Sequence, residues 1–395
     1  MAAREYQAPE SIRRLEQRAL FVGGFALLVS IGGAMRSPGS FYQSYLMSFM
    51  LVLGLTLGSL GLLMLQHLTS GQWGIIIRRS LESATRTLPL IAAFFLPIAL
   101  FGMHYLYGAW LNPEELEKEP LSDFQRTYLT AGRFQMRAVV YFAIWLALMF
   151  FFNRWSEEQD VNQEDRSLRR RLKMLAGPGI ILYVFAMSFA AIDWVMSLSP
   201  HWASTIYGFL FVAGQLISSM AFMIAVVVLL ARAEPFSTVL QKRHLHDLGK
   251  LLLAFVMLWA YFDFSQLLII WSGNQPEEIS FYRTRLYGGW GVVAVIVLVF
   301  HFFVPFFLLL SQDVKRNAKV LPKIALWLIF MRLVDLYWMT RPEFTSRAAP
   351  TWLDIVLPIA LGGLWLGYFA FNLKRHPLLP LGDPKLAEAI EHHEH

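Results

Sequence analysis

The chain has 395 residues, of which 56% are hydrophobic and 15% aromatic, while only 16% are charged. Soluble domains run at about 45–50% apolar and about 25% charged, so this composition excludes a soluble globular domain and specifies an integral membrane protein. The formal charge of +6 does not argue for nucleic acid, because the basic residues fall in short stretches between apolar runs. With no cysteine, this chain offers no disulfide, iron–sulfur ligation or covalent c-type haem attachment of its own.

Crossing a bilayer takes about 20 apolar residues at a rise of about 1.5 Å each. By that rule the sequence predicts ten transmembrane helices, at 17–35, 41–65, 88–110, 136–153, 175–198, 206–231, 249–271, 288–310, 320–339 and 352–373. The first 18 residues are polar and carry no sign of a cleavable signal peptide. Loops are short, so residues 1–395 are expected to form a single, all-α membrane domain.

Lys and Arg fall on alternate loops. The N-terminus and every second loop carry 24 of them, including Arg78, Arg79, Arg86 and the run Arg169, Arg170 and Arg171; the other side carries 9, and Arg332 lies within a span. The longest loop on the sparser side, 111–135, is acidic at Glu114, Glu115, Glu117 and Glu119. The excess of basic residues predicts both termini in the cytoplasm, with the arginine run fixing topology and meeting anionic lipid.

The chain repeats itself. Asp193 precedes Pro200 by seven residues at the end of span five, and Asp335 precedes Pro342 by seven at the end of span nine. Spans three and seven both run out through Trp, Asn and Pro-Glu-Glu, at Trp110, Asn112, Pro113, Glu114 and Glu115 and at Trp271, Asn274, Pro276, Glu277 and Glu278. The offsets of the two pairs differ by the shortening of the two intervening loops. Spans 2–5 and 6–9 therefore read as two four-helix bundles in parallel repeat, within regions 36–198 and 199–340, flanked by the peripheral spans 17–35 and 352–373. Repeats of this kind place functional groups at matching depths.

The stretch from Asp193 to Gly208, DWVMSLSPHWASTIYG, resembles the hallmark of the NrfD/polysulfide-reductase-like membrane subunits of alternative complex III, a bacterial quinol:electron-acceptor oxidoreductase. Leu258 to Asn274, LWAYFDFSQLLIIWSGN, and Arg332 to Trp338, RLVDLYW, fit the same family. The likeness covers essentially all ten spans and is greatest to the smaller, second quinone-binding type of subunit. It implies ten helices in two bundles with cytoplasmic termini, in the bacterial inner membrane. It also implies a sister NrfD-like subunit, partners bearing iron–sulfur clusters and c-type haems on the periplasmic side, and quinol (menaquinol) oxidation coupled to proton movement.

Charged groups inside the spans carry the candidate chemistry, because each costs several kcal/mol in hydrocarbon unless paired or hydrated. Asp193 lies roughly 7–8 Å, and Asp263 roughly 12 Å, from the outer end of its span. Asp335 and Arg332 share the outer half of span nine, His104 sits near the outer end of span three, and His301 lies near the middle of span eight. Buried carboxylates and histidines are the usual material of proton relays, so Asp193, Asp263, Asp335, His301 and His104 form the expected proton pathway. Against this stands the reading of each as a buried structural group. Arg332 and Asp335, three apart on one helix face, are explained equally by a local ion pair. Two histidines at different depths do not make a bis-His haem site, the tail histidines His392, His393 and His395 read as solvated, and no metal or cofactor is expected to be bound by this chain. His201, Trp202, Gln266, Arg283 and Arg285 are candidates for contact with quinol or a periplasmic partner. A stand-alone secondary transporter, for which parallel repeats and intramembrane carboxylates are also typical, is the competing reading.

Overall fold

The computed structural model describes residues 6–162, 165–383 and 386, and among them every regular element is helical. Arg4, Lys385 and the tail histidines lie outside the described residues. Nine helices among them are long and apolar enough to cross a membrane: α1 (Glu10–Arg36), α2 (Pro38–Thr69), α3 (Trp73–Leu106), α4 (Ala131–Val161), α5 (Ser167–Leu198), α6 (Tyr207–Leu230), α7 (Lys242–Gly273), α8 (Trp290–Leu310) and, at the C-terminal end, Leu353–Leu373. The chain is a multi-pass membrane protein. The segment expected at 320–339 is the helix α9 (Leu321–Thr340), 20 residues long and carrying Lys323, Arg332 and Asp335; Leu353–Leu373 is α10.

Between Pro38 and Thr69 there is no Asp, Glu, Lys or Arg, and a helix apolar all round belongs inside. α2 is accordingly the central post of the molecule, its apolar window wholly buried. Its closest neighbour is α6, and small residues set the approach. A Cβ on Gly58 would stand 2.1 Å from the carbonyl oxygen of Gln215, and the hydroxyls of Ser59 and Ser219 meet at 2.7 Å. Close backbone approach over small residues is how helices associate where lipid competes for apolar surface.

α1 is held against α10 in the same way. Its buried residues are Ile12, Glu16, Ala19, Gly23, Ala26, Ser30 and Gly33, spaced alternately four and three apart, which is a heptad seam of mostly small side chains. Gly23 lies directly on Gly363, and Glu16 pairs with Lys374 at the end of the seam. A Cβ on Gly23 would be 2.5 Å from the Leu364 nitrogen and 2.8 Å from the Gly363 carbonyl carbon. Gly23→Leu is therefore expected to part the two helices at a cost of about 1–3 kcal/mol, read as a lower thermal midpoint in detergent. An unchanged midpoint would contradict this packing.

Two helices depart from α geometry. Ile98–Gly102 in α3 and Leu298–Phe303 in α8 are π-helical, the first directly after Pro97 and the second ending two residues before Pro305. Proline has no N–H to give to the carbonyl four residues back, which for Pro305 is that of His301, and a widened turn absorbs the break.

The structure corrects the reading of Arg78 and Arg79 as loop residues. α3 begins about fifteen residues earlier than expected, and both arginines are 2% exposed inside it. Arg78 reaches Glu82 (3.1 Å), Asp383 (3.1 Å), Ser156 (2.8 Å) and Gln159 (2.8 Å), while Arg79 pairs with Glu82 and Asp160. This network ties the ends of α3 and α4 to the C-terminal segment, where the Gly382 amide also donates to Asp160.

Candidate functional site

The expected pathway residues fall into two separate clusters. The first is built on Asp193, which is fully buried near the end of α5. Arg137, nearly two turns into α4, grips it with both prongs, Nε to Oδ2 at 2.8 Å and Nη2 to Oδ1 at 2.9 Å. The Tyr141 hydroxyl, one turn further along α4, donates to Oδ2 at 2.7 Å. The guanidinium then gives its remaining Nη1 proton to the Tyr128 carbonyl (2.9 Å) and lies 3.8 Å over the Tyr128 ring. Burial, with the charge of Asp193 added, pushes the Tyr128 phenol up to about 12, so it stays neutral beside the pair. Three donors from α4 thus hold the carboxylate, and a bidentate pair of this kind is a fixed anchor.

The second cluster lies between α6, α7, α8 and α9. Arg332 and Asp335 pair one turn apart on α9, with Arg332 3% and Asp335 2% exposed. Gly214 on α6 makes room for this pair: a Cβ there would sit 2.2 Å from Arg332 Cζ. The guanidinium also faces the Phe211 ring at 5.5 Å. Gly214→Val is expected to expel the guanidinium and strand Asp335, costing about 3 kcal/mol; a variant melting at the wild-type temperature would show that Arg332 has room to spare.

Asp263 approaches the pair from α7. The residues at its spacing, Trp259, Gln266 and Ile270, are buried, so Asp263 is on the inward face of the helix. It is itself half-buried, makes no hydrogen bond or ion pair among the described residues, and feels the charges of Asp335 and Arg332. Gln266, one turn on, accepts from Ser204 at 3.1 Å and donates to the Tyr282 hydroxyl at 3.4 Å. From α8 comes His301, in the π-helical turn. It is wholly buried, its ring stands edge-on to Trp259 at 4.4 Å, and neither ring nitrogen has a hydrogen-bond partner. The charge of Arg332 reaches it too.

The other expected residues are scattered. His104 is exposed on the surface of α3 and joins neither cluster. Trp202 is 3% exposed and stacks on Phe281 at 3.9 Å; Arg285 covers the other side of the same ring at 3.5 Å and pairs with Glu343 at 2.7 Å. Arg285 is thus a core residue, whereas Arg283 is exposed. His201, 3.5 Å from Glu119, lines a groove of about 790 Å³ with Glu115, Glu119, Glu277 and Trp202. No three His, Asp or Glu side chains converge as metal ligands among the described residues.

Sequence reasoning left Arg137, at the start of the expected span 136–153, without a role and passed over Tyr141. The signal was there: Arg137 and Tyr141 are four apart, hence on one helix face, at the depth where Asp193 needed a partner. Compared with known proteins, the chain matches no family model and no curated protein.

Proposed function

We propose that the chain is an integral membrane subunit of a quinol:electron-acceptor oxidoreductase of the alternative complex III kind, serving proton translocation and assembly while partner subunits carry the electrons. The reading takes the ten helices as ten spans in two repeated bundles, with both termini in the cytoplasm of a bacterium. Pairing of Arg332 with Asp335 supports α9 as a span, since it leaves Lys323, near one end, as the one unneutralised charge of that helix.

The observation that carries the proton role is Asp263. An inward carboxylate with no hydrogen-bond or ion-pair partner among the described residues, within reach of the charges of a buried ion pair that also acts on His301, is a group able to take up and pass on a proton. The route runs over Asp263, Asp335 and His301, with Arg332 holding Asp335. Asp193 is assigned to the anchor with Arg137, and His104 lies off the route. The acidic groove around His201 and Trp202 is the surface offered to an outer partner; quinol contact belongs with Gln266 and its neighbours.

Isolation from native membranes tests the assembly. The purified material is expected to show the optical bands of c-type haem and the magnetic resonance of iron–sulfur clusters, contributed by other chains. A monodisperse lone protein that binds a solute would favour the transporter instead.

A further inference from the structure

We propose that the cations gathered where α7 begins and α8 ends form a binding site for the phosphate head of an anionic membrane lipid. The short helix Gln312–Arg316, which follows α8, lies against α7 near Gly249. The missing side chain makes the room: a Cβ on Gly249 would stand 2.8 Å from Cγ of Lys315 and 3.1 Å from its Cβ. Lys315 is therefore only 6% exposed, its stem laid on α7 and its ammonium at the surface, as a lysine snorkels out of apolar surroundings. Beside it come Arg316, exposed on the same short helix, and Lys250, next to Gly249. The charges of Lys250, Arg316 and Lys315 all reach His246, one turn earlier on α7.

The chain does not neutralise these cations itself. Arg78, Arg79, Arg86 and Lys374 are each paired with one of its carboxylates. Lys315 and Arg316 meet none among the described residues, and Lys250 meets Asp247 at 3.3 Å. Burial, with the charge of Lys250 added, holds the Lys315 ammonium below the usual lysine range, and no carboxylate acts against this; Asp313, at the start of the same short helix, does not reach it. With Lys250 and Asp247 cancelling, two positive charges side by side are left for an anion from outside. The surface next to them says which anion. Phe307 and Leu310, at the end of α8, are 64% and 52% exposed, so they face the acyl chains of a bilayer. A phospholipid lays its chains on that surface and its phosphate on Lys315 and Arg316, whereas a soluble anion has no use for it. The inference stands apart from the respiratory reading.

The test is native mass spectrometry of the full chain, purified in detergent, stripped of lipid and titrated with phosphatidylglycerol. One tightly retained molecule per chain is expected. Phosphatidylcholine, whose phosphate carries its own cation, should be retained far more weakly. Arg316→Gln, on an exposed side chain that the fold does not need, should weaken retention about fivefold. Lys315→Met with Arg316→Gln keeps an apolar stem on Gly249 and removes both charges, so the loss should reach about twenty-five-fold. Arg13→Gln with Arg14→Gln, on exposed positions of α1, removes the same charge elsewhere and should leave retention unchanged. Equal retention of the two lipids, retention unchanged in Arg316→Gln, or an equal loss in the α1 variant would overturn the proposal. So would displacement of phosphatidylglycerol by an equal concentration of inorganic phosphate, which would make the ligand a soluble anion.

Discussion

Arg137→Ala is expected to cost the folded protein about 3–5 kcal/mol, the typical effect of removing one partner from a buried ion pair. Asp193 has no access to solvent, so without the guanidinium its charge would be left buried with only neutral tyrosine hydroxyls, that of Tyr141 foremost, to donate to it. The variant also loses the guanidinium bond to the Tyr128 carbonyl and its stacking on the Tyr128 ring, so the short helix Asp123–Tyr128 should loosen with it. Arg137→Lys should recover part of the loss, since an ammonium cannot reproduce the two-pronged grip. The double variant Arg137→Leu, Asp193→Leu should recover most of it, because it removes both charges and leaves none unpaired. Thermal unfolding in detergent measures all three. An Arg137→Ala protein as stable as wild type would show that Asp193 is not held as an anchor.

Much of the helical architecture was legible because hydrophobic length is a strong signal. Nine of the ten expected segments are long apolar helices, and the charges that set α9 apart are the pair that attracted attention in the sequence. The paired motifs also take similar local structures. Asp193 and Asp335 are both buried near a helix end, followed by the 3-10 turns Met196–Leu198 and Arg341–Glu343, and Pro113 and Pro276 each open a short helix. Helix ends were less legible. Counting charges places Arg78 and Arg79 in a loop, but whether an arginine is solvated or internal depends on partners such as Asp160 and Asp383, which are distant in sequence. The same holds for the aspartates. Nothing in the local sequence separates Asp193 from Asp263, yet one meets an arginine and a tyrosine on α4, and the other meets no hydrogen-bonding partner among the described residues. The π-helical turn around His301 was not foreseen, although Pro305, four residues on, was the clue to it.

The central claim, that this chain moves protons through its second cluster, bears most heavily on Asp263. Because Asp263 makes no hydrogen bond or ion pair among the described residues, Asp263→Asn should fold and assemble as wild type does, and any loss it shows belongs to chemistry. An amide does not take up and release protons as a carboxylate does, so proton transfer through the site should fall about a hundredfold, the low end of what a positioned acid–base group contributes. Asp263→Glu should keep most of the transfer. Asp193→Asn should leave it unchanged, since Asp193 is placed outside the route. The measurement is quinol-driven proton movement by the intact assembly in sealed vesicles, followed with a pH-sensitive dye. The account predicts that Asp263→Asn nearly abolishes the dye response while the assembly stays whole; a wild-type response from that variant would contradict it.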